Sequence, residues 1–415
     1  MFDQDQSTAR VRPADRGHGA QYRAFASRAL LGLSLLLAGC AKTGSEKTLI
    51  LWHSWGGAEL TALKHSLQAY KTLHPDVDVI ALQVPADRLQ DKYVRSAAAN
   101  GGPDLLIGNT DWIGKFCQSG VVAPMDNAFD PSLLKRYPPF ALKALTYQCH
   151  LYALPESLET VALYYNKALM PAPPSTIDEL FNRANSFKNY VLAYNTQYFF
   201  AAGYMFGYGA RLQKDNGDIE VATAPAARWL SLLKKMNTHP KMVAKSDYAK
   251  ADALFREKKA ACTVNGPWAL KDYQSALGED LGVAMLPRVE GRNAAPFVGI
   301  KCLMYNPNSS KQGRKLALDF SRFFVERENM QRLLDEAGHI PAVTDVAPAP
   351  GTPLSYFAAQ AKVGTPLPAG PEMREVWTPM DRVIEEVFTD AKTPVKALED
   401  AQQLIRARVE EVKKQ

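Results

Sequence analysis

The chain has 415 residues, 47% of them hydrophobic and 22% charged, and a formal charge of +6. Those values describe a globular chain long enough for two cores, and they exclude a disordered polypeptide or a multi-span membrane protein. Five Arg against three Asp in residues 1–39 account for two of the six excess positive charges. The remainder forms no basic stripe of the kind a phosphate backbone requires, which excludes nucleic acid as a partner.

Taken in chain order, the first signal is Arg23 and Arg28 ahead of LLGLSLLLAG, an apolar run too short to span a bilayer but the size of a secretory h-region. It ends in Leu37-Ala38-Gly39-Cys40, which resembles the lipobox of bacterial lipoproteins. The resemblance implies a signal peptide over 1–39, a lipid on Cys40, and a polar tether over 40–47 that holds the protein at a membrane outside the cytoplasm. Next, LILW (49–52) and VDVIAL (77–82) read as strands around an amphipathic helix, AELTALKHSLQAYKTLH. That is a βαβ unit, and it predicts parallel pairing with helices on the sheet faces.

The alternation continues. DLLIG (104–108), VALYYN (161–166), ACTVNG (261–266), LGVAML (281–286) and FVGIKCLMY (297–305) read as strands. IDELFNRANSF, APAARWLSLLKKMN, a single long segment over 311–338, MREVWTPMDRVIEEVF and VKALEDAQQLIRARVEEV read as helices. Trp229 stands at helical spacing with Leu232 and Leu233, so it is a core residue. Residues 340–371 are rich in Pro and Ala and predict an irregular but ordered connection around a short helix.

Four cysteines follow Cys40: Cys117, Cys149, Cys262 and Cys302. In an oxidising compartment they allow three pairings, of which spacing favours Cys117–Cys149 with Cys262–Cys302; four free buried thiols are the other reading. The seven His fall in no HExxH or HxH grouping and no CxxC occurs, so no metal site is expected. Glu156 and Glu159 lie close in sequence, as paired acids of a glycosidase might be sought, but no nucleophile elbow, P-loop or dinucleotide-binding pattern accompanies them. The chain is read as a binding protein, with neither catalysis nor a cofactor.

NGPWAL, GVAMLPRVEGRNAAPFVGI and EAGHIPAV in the second half, with GGPDLLIGNTDWIGKFCQSGVVAPMD and LYALPESLETVALYYNKALMPAPPSTIDEL in the first, are similar to the maltose-binding proteins of bacterial ABC sugar importers. The similarity runs over residues 48–410. It implies an α/β, two-lobed periplasmic-binding-protein-like fold, each lobe a mostly parallel sheet flanked by helices, discontinuous in sequence and joined by a hinge. Lobe I would comprise 48–158 and 302–347, and lobe II 159–301 and 348–415, with crossings near Leu158–Val161, Val298–Lys301 and Ala347–Thr352. Two such lobes close over a ligand, and an ABC permease with its ATPase subunits takes delivery from a monomer.

A sugar offers a ring of hydroxyls and flat C–H faces, so its site needs aromatic platforms as well as polar groups. The resemblance places Trp268, Trp377 and Tyr198 at the ligand as platforms, and Asp111 and Glu159 as acceptors for sugar hydroxyls. One pyranose face on an indole contributes on the order of 1 kcal/mol, against the ~8 kcal/mol of micromolar binding, so several contacts are needed. The chain departs from the pattern at HSWGGAE, where Ser54 and Trp55 replace a short polar turn, and at Gly108, where the relatives carry tryptophan and Trp112 follows four residues on. Ser54, Trp55 and Trp112 are therefore added as ligand candidates. The same departures admit, beside di- and oligosaccharides, glycerol 3-phosphate or another polyol, and a sensing lipoprotein without transport.

Overall fold

Strands of β-branched and apolar residues alternate with amphipathic helices to build two large sheets, beside a small hairpin of Thr146–Tyr147 and His150–Leu151. The computed structural model describes residues 47–214 and 217–414. The signal segment, Cys40 and the tether up to residue 46 lie outside the described residues.

In the first sheet the strand order is Ile340–Pro341, Ala153–Glu159, Phe297–Tyr305, Leu105–Asn109, Lys47–His53 and Val77–Gln83, with Thr365–Pro366 beside the start of Phe297–Tyr305. The expected βαβ unit is there: Lys47–His53 pairs in parallel with Val77–Gln83 across the helix Gly57–Leu73. Phe297–Tyr305 runs antiparallel to both of its long neighbours. The second sheet has the order Leu281–Ala284, Ala162–Asn166, Ala260–Asn265, Tyr190–Asn195, Met242–Lys245. Its last three strands are parallel, whereas Ala162–Asn166 is antiparallel to both neighbours.

Two large apolar clusters hold the sheets, the first of them reaching past the first sheet to Tyr164 and Val283 of the second. Leu49, Leu51, Leu105 and Leu106 pack with Phe320 and Phe324 in the first. Tyr198, Tyr204, Trp229 and Leu230 pack with Val383 and Ile384 in the second. Trp229 is fully buried and its indole N–H donates to the Ala201 carbonyl at 2.9 Å, the core role its spacing predicts.

Phe297–Tyr305 joins the two cores. Its first residue, Phe297, stacks edge-on against Tyr198 and Trp377 at 5.5 Å in the second core, while Ile300 to Met304 pair with Ala153–Glu159 in the first sheet. The register slips between Lys301 and Cys302, opposite Pro155, whose missing N–H interrupts the ladder. The residue left without a partner by this slip is Glu156, between Pro155 and Ser157, and such a residue has its side chain re-aimed.

Two expectations are corrected. The segment 311–338 is not one helix: it breaks after Lys311–Phe324, resumes as Arg327–Arg332, and ends in a π turn, Leu333–Ala337. The Asn329 side chain donates to the Phe323 carbonyl at 2.7 Å and satisfies the end of the first piece. Gly338 then adopts the left-handed conformation at φ 75°, which turns the chain so that His339 enters the interior. The favoured disulfides are also absent, since all four described cysteines are free. Cys262 and Cys302 lie in different sheets, each thiol facing a carbonyl of the adjacent strand, Val191 at 2.9 Å and Gly108 at 3.6 Å. Cys117 is half-buried and Cys149 exposed, and burial pushes the Cys117 thiol up to about 12.

Candidate interlobe binding site

The corner NGPW explains how an indole reaches the surface. Asn265 ends the buried strand and its side chain accepts from the Gly266 N–H at 2.9 Å while donating to the Tyr273 hydroxyl at 2.8 Å. The Tyr164 hydroxyl donates to the Gly266 carbonyl at 2.9 Å, so the corner is held from both sides. Pro267 opens a short 3₁₀ turn, Pro267–Ala269, and Trp268 folds back over Gly266, where a Cβ would meet the ring at 2.1 Å. With 39% of its surface open, Trp268 is an exposed platform rather than a packed corner.

Trp268 lines two adjoining cavities. The smaller, about 330 Å³, is lined by Phe199, Trp268 and Trp377 together with Asp111 and Glu159. The larger, about 710 Å³, runs past Gly56–Glu59, the helix Leu270–Leu277 and the connection around Pro348 and Thr352. Phe199 is 6.4 Å from both Trp268 and Trp377, so the three rings form one continuous aromatic surface.

Asp111 stands in the 3₁₀ turn Thr110–Trp112. The Thr110 hydroxyl both donates to the Ile300 carbonyl, at 3.0 Å, and accepts from the Ile300 N–H, at 2.8 Å, which clamps that turn onto the strand Phe297–Tyr305. Burial, with added repulsion from Glu159, pushes the Asp111 carboxyl up to about 6.

Beneath the cavities lies a buried ion cluster. Lys301 bonds to Glu59 and stands 3.2 Å from Glu159. His339 bridges Glu59 at 3.0 Å and Glu156 at 2.8 Å, and the Ser157 hydroxyl donates to Glu156 at 2.7 Å. Burial alone would raise the Glu59 carboxyl, but bonds from His339 and Lys301 outweigh it and hold the group at about 2. Burial would likewise lower His339; the Glu156 carboxylate beside it raises it instead to about 9. Lys301 is raised above its ordinary value against burial by Glu159 and Glu59. Glu59 also occupies the first turn of Gly57–Leu73, where the helix dipole favours a carboxylate.

Against the known proteins, residues 66–360 match the family model described as bacterial extracellular solute-binding protein. The chain belongs to this family. This solute-binding protein is 30% identical over 366 residues to the maltotriose-binding protein of Pyrococcus abyssi, covering 85% of this chain and 80% of that one. It is 27% identical to the galactooligosaccharide-binding protein of Bacillus subtilis, covering 92% and 95% of the two chains. Among solved structures, a cyclo/maltodextrin-binding protein complexed with maltotetraose superposes with a TM-score of 0.77 at 29% identity, over 89% of this chain and 98% of the other. Among the described residues of this solute-binding protein no helix is long and apolar enough to cross a membrane, and no cluster is suited to a metal ion.

Of the eight candidate ligand residues, four line the smaller chamber and four do not. Trp268, Trp377, Asp111 and Glu159 come together on one chamber. Tyr198 does not reach it: the ring is wholly buried among Trp229, Phe297 and Trp377, and the next residue, Phe199, faces the chamber in its place. Trp55 is 2% exposed and serves as the apolar cover of the ion cluster, with Lys301 5.7 Å over its ring and His339 edge-on at 4.9 Å. Trp112 lies against the backbone at Gly108, where a Cβ would meet its ring at 2.7 Å, so the glycine and the tryptophan are one packing solution. Ser54 is half-buried and lines neither chamber. The sequence reading missed Phe199, Glu59, Lys301 and His339. A usable signal existed for Lys301, a single charge inside the buried apolar strand FVGIKCLMY, which is stable only when paired.

Proposed function

We propose that this solute-binding protein captures an oligosaccharide between its two lobes and presents it to an ABC permease, whose own subunits hydrolyse ATP. The observation that carries this reading is the chamber lined by three aromatic rings and two carboxylates, the pairing of apolar and hydrogen-bonding surface that a sugar requires. The adjoining larger cavity shares Trp268 and gives room for further sugar units, in keeping with relatives named for maltotriose and galactooligosaccharides. A phosphate ester such as glycerol 3-phosphate fits less well, because the smaller chamber is lined by acids with no Lys or Arg among its residues. We further propose that Cys40 carries a lipid and that the protein works as a monomer tethered outside the cytoplasm.

The test is calorimetry against maltose, maltotriose, maltotetraose, galactotriose, trehalose, sucrose and glycerol 3-phosphate, with solution scattering on the free and loaded protein. Binding of at least one oligosaccharide at micromolar Kd or tighter, with a smaller radius of gyration, is expected. Tight binding of glycerol 3-phosphate with no response to any oligosaccharide overturns the proposal.

A further inference from the structure

We infer that the preferred guest is an oligosaccharide bearing a basic amine, its cation seated between the Trp268, Trp377 and Phe199 rings and the Asp111 and Glu159 carboxylates. This rests on the oligosaccharide reading above and narrows it to a chemical class.

Glu59, Asp111, Glu156 and Glu159 gather along the hinge with two cations, Lys301 and His339. Both cations are engaged below the chambers: Lys301 with Glu59 and Glu159, His339 with Glu59 and Glu156. Neither reaches Asp111, whose nearest influential charge is the like charge of Glu159. Its carboxyl is displaced upward as that repulsion and burial require, yet at neutral pH the group remains mainly ionised. The chamber wall is thus acidic, and Asp111 in it has no cation beside it.

A neutral sugar meets such a carboxylate with hydroxyl dipoles alone. An ammonium keeps the charge-assisted hydrogen bond that a hydroxyl also makes to a carboxylate and adds the attraction of two opposite full charges. The same cation is attracted by aromatic faces, most strongly by indole, when it lies within ~6 Å of a ring centre. Both kinds of partner line one space of about 330 Å³, and 39% of Trp268 is open to it and to the neighbouring cavity. Aromatic and acidic side chains therefore act on the same guest atom, a combination that favours a cation over the hydroxyl it replaces.

The experiment compares matched ligands on the purified wild-type protein. Maltotriose and β-1,4-galactotriose are each titrated beside derivatives in which one C6 hydroxyl is replaced by an amine, and beside the N-acetylated forms of those derivatives. At pH 7, at least one amine form is expected to bind tenfold or more tighter than its parent, and its N-acetyl form to fall back to the parent's Kd or weaker. Asp111→Asn should narrow the amine-to-parent ratio to below twofold. Glu159→Gln supplies the same readout should that variant fail to fold. Equal or weaker binding of every amine form, with either parent bound, overturns this inference and leaves the oligosaccharide reading standing. If no parent and no derivative binds, the oligosaccharide reading falls and this inference with it.

Discussion

Replacing Trp268 by alanine separates a ligand platform from a structural corner. The indole exposes 39% of its surface. For a side chain of ~250 Å² this leaves on the order of 100 Å² for a guest to cover. If a sugar covers half to all of it, at ~25 cal/mol per Å² the loss on Trp268→Ala is about 1.2–2.5 kcal/mol. That corresponds to a Kd weakened by roughly 7- to 60-fold at 1.4 kcal/mol per decade. Stability should change much less, because the ring rests on Gly266 and the edges of Phe199 and Phe200 without filling a cavity. Calorimetry with the tightest oligosaccharide gives the first quantity, and urea unfolding of the free protein the second. An unchanged Kd alongside a loss of more than ~2 kcal/mol in unfolding free energy, the signature of a core deletion, would refute the reasoning.

Further perturbations probe the ion cluster and the packing below it. Lys301→Met leaves Glu59 and Glu159 without their shared cation and should cost about 3–5 kcal/mol in urea unfolding, part of which returns in the double variant with Glu59→Gln. His339 is raised from 6.5 to about 9, so its ion pairs contribute fully below pH 6.5 and fade as the pH climbs through 9. Glu59, lowered from 4.5 to about 2, contributes above pH 4.5 and fades as the pH falls through 2. Thermal unfolding should accordingly decline on the alkaline side between those limits, and His339→Gln should flatten that decline. Gly108→Ala places a methyl 2.7 Å from the Trp112 ring and should cost about 1–3 kcal/mol, measured against wild type by urea unfolding. Cys40→Ser should move the protein from the detergent-soluble membrane fraction to the extracytoplasmic soluble fraction, read by fractionation and immunoblot.

The strands and the helices between them were legible because their signal is local. β-Branched runs and helical spacing depend only on near neighbours in sequence. The break at Phe324 was not legible, since the apolar pattern continues through it; the bond from the Asn329 side chain to the Phe323 carbonyl leaves no trace in that pattern. The site divides along the same line. Trp268 and Trp377 sit beside Gly266-Pro267 and at the start of Arg374–Phe388, where turn chemistry fixes their exit from the core. Tyr198 and Phe199 differ by one helical position, about 100° of rotation, and an all-aromatic stretch carries no polar residue to say which ring faces inward. Trp55 was misplaced for a related reason: HSWGG reads as an exposed turn, but the ring packs against Phe324 and His339, residues remote in sequence, and is buried there.

The least legible part, the ion cluster, brings together residues as far apart as Glu59 and His339, from a helix start, two hinge strands and the turn at Gly338. Its placement has a mechanical consequence. Glu156, Glu159 and Lys301 lie on the strands Ala153–Glu159 and Phe297–Tyr305, the paths by which the chain passes between the two cores. A charged cluster buried at that point stabilises the fold little against an apolar alternative, because desolvation offsets most of the attraction. It does require the strands that carry it to keep their spacing, since separating any pair strands a charge in the interior. Bending that parted Ala153–Glu159 from Phe297–Tyr305 at this point would leave Glu159 and Lys301 without each other, so the cluster opposes movement between these two strands.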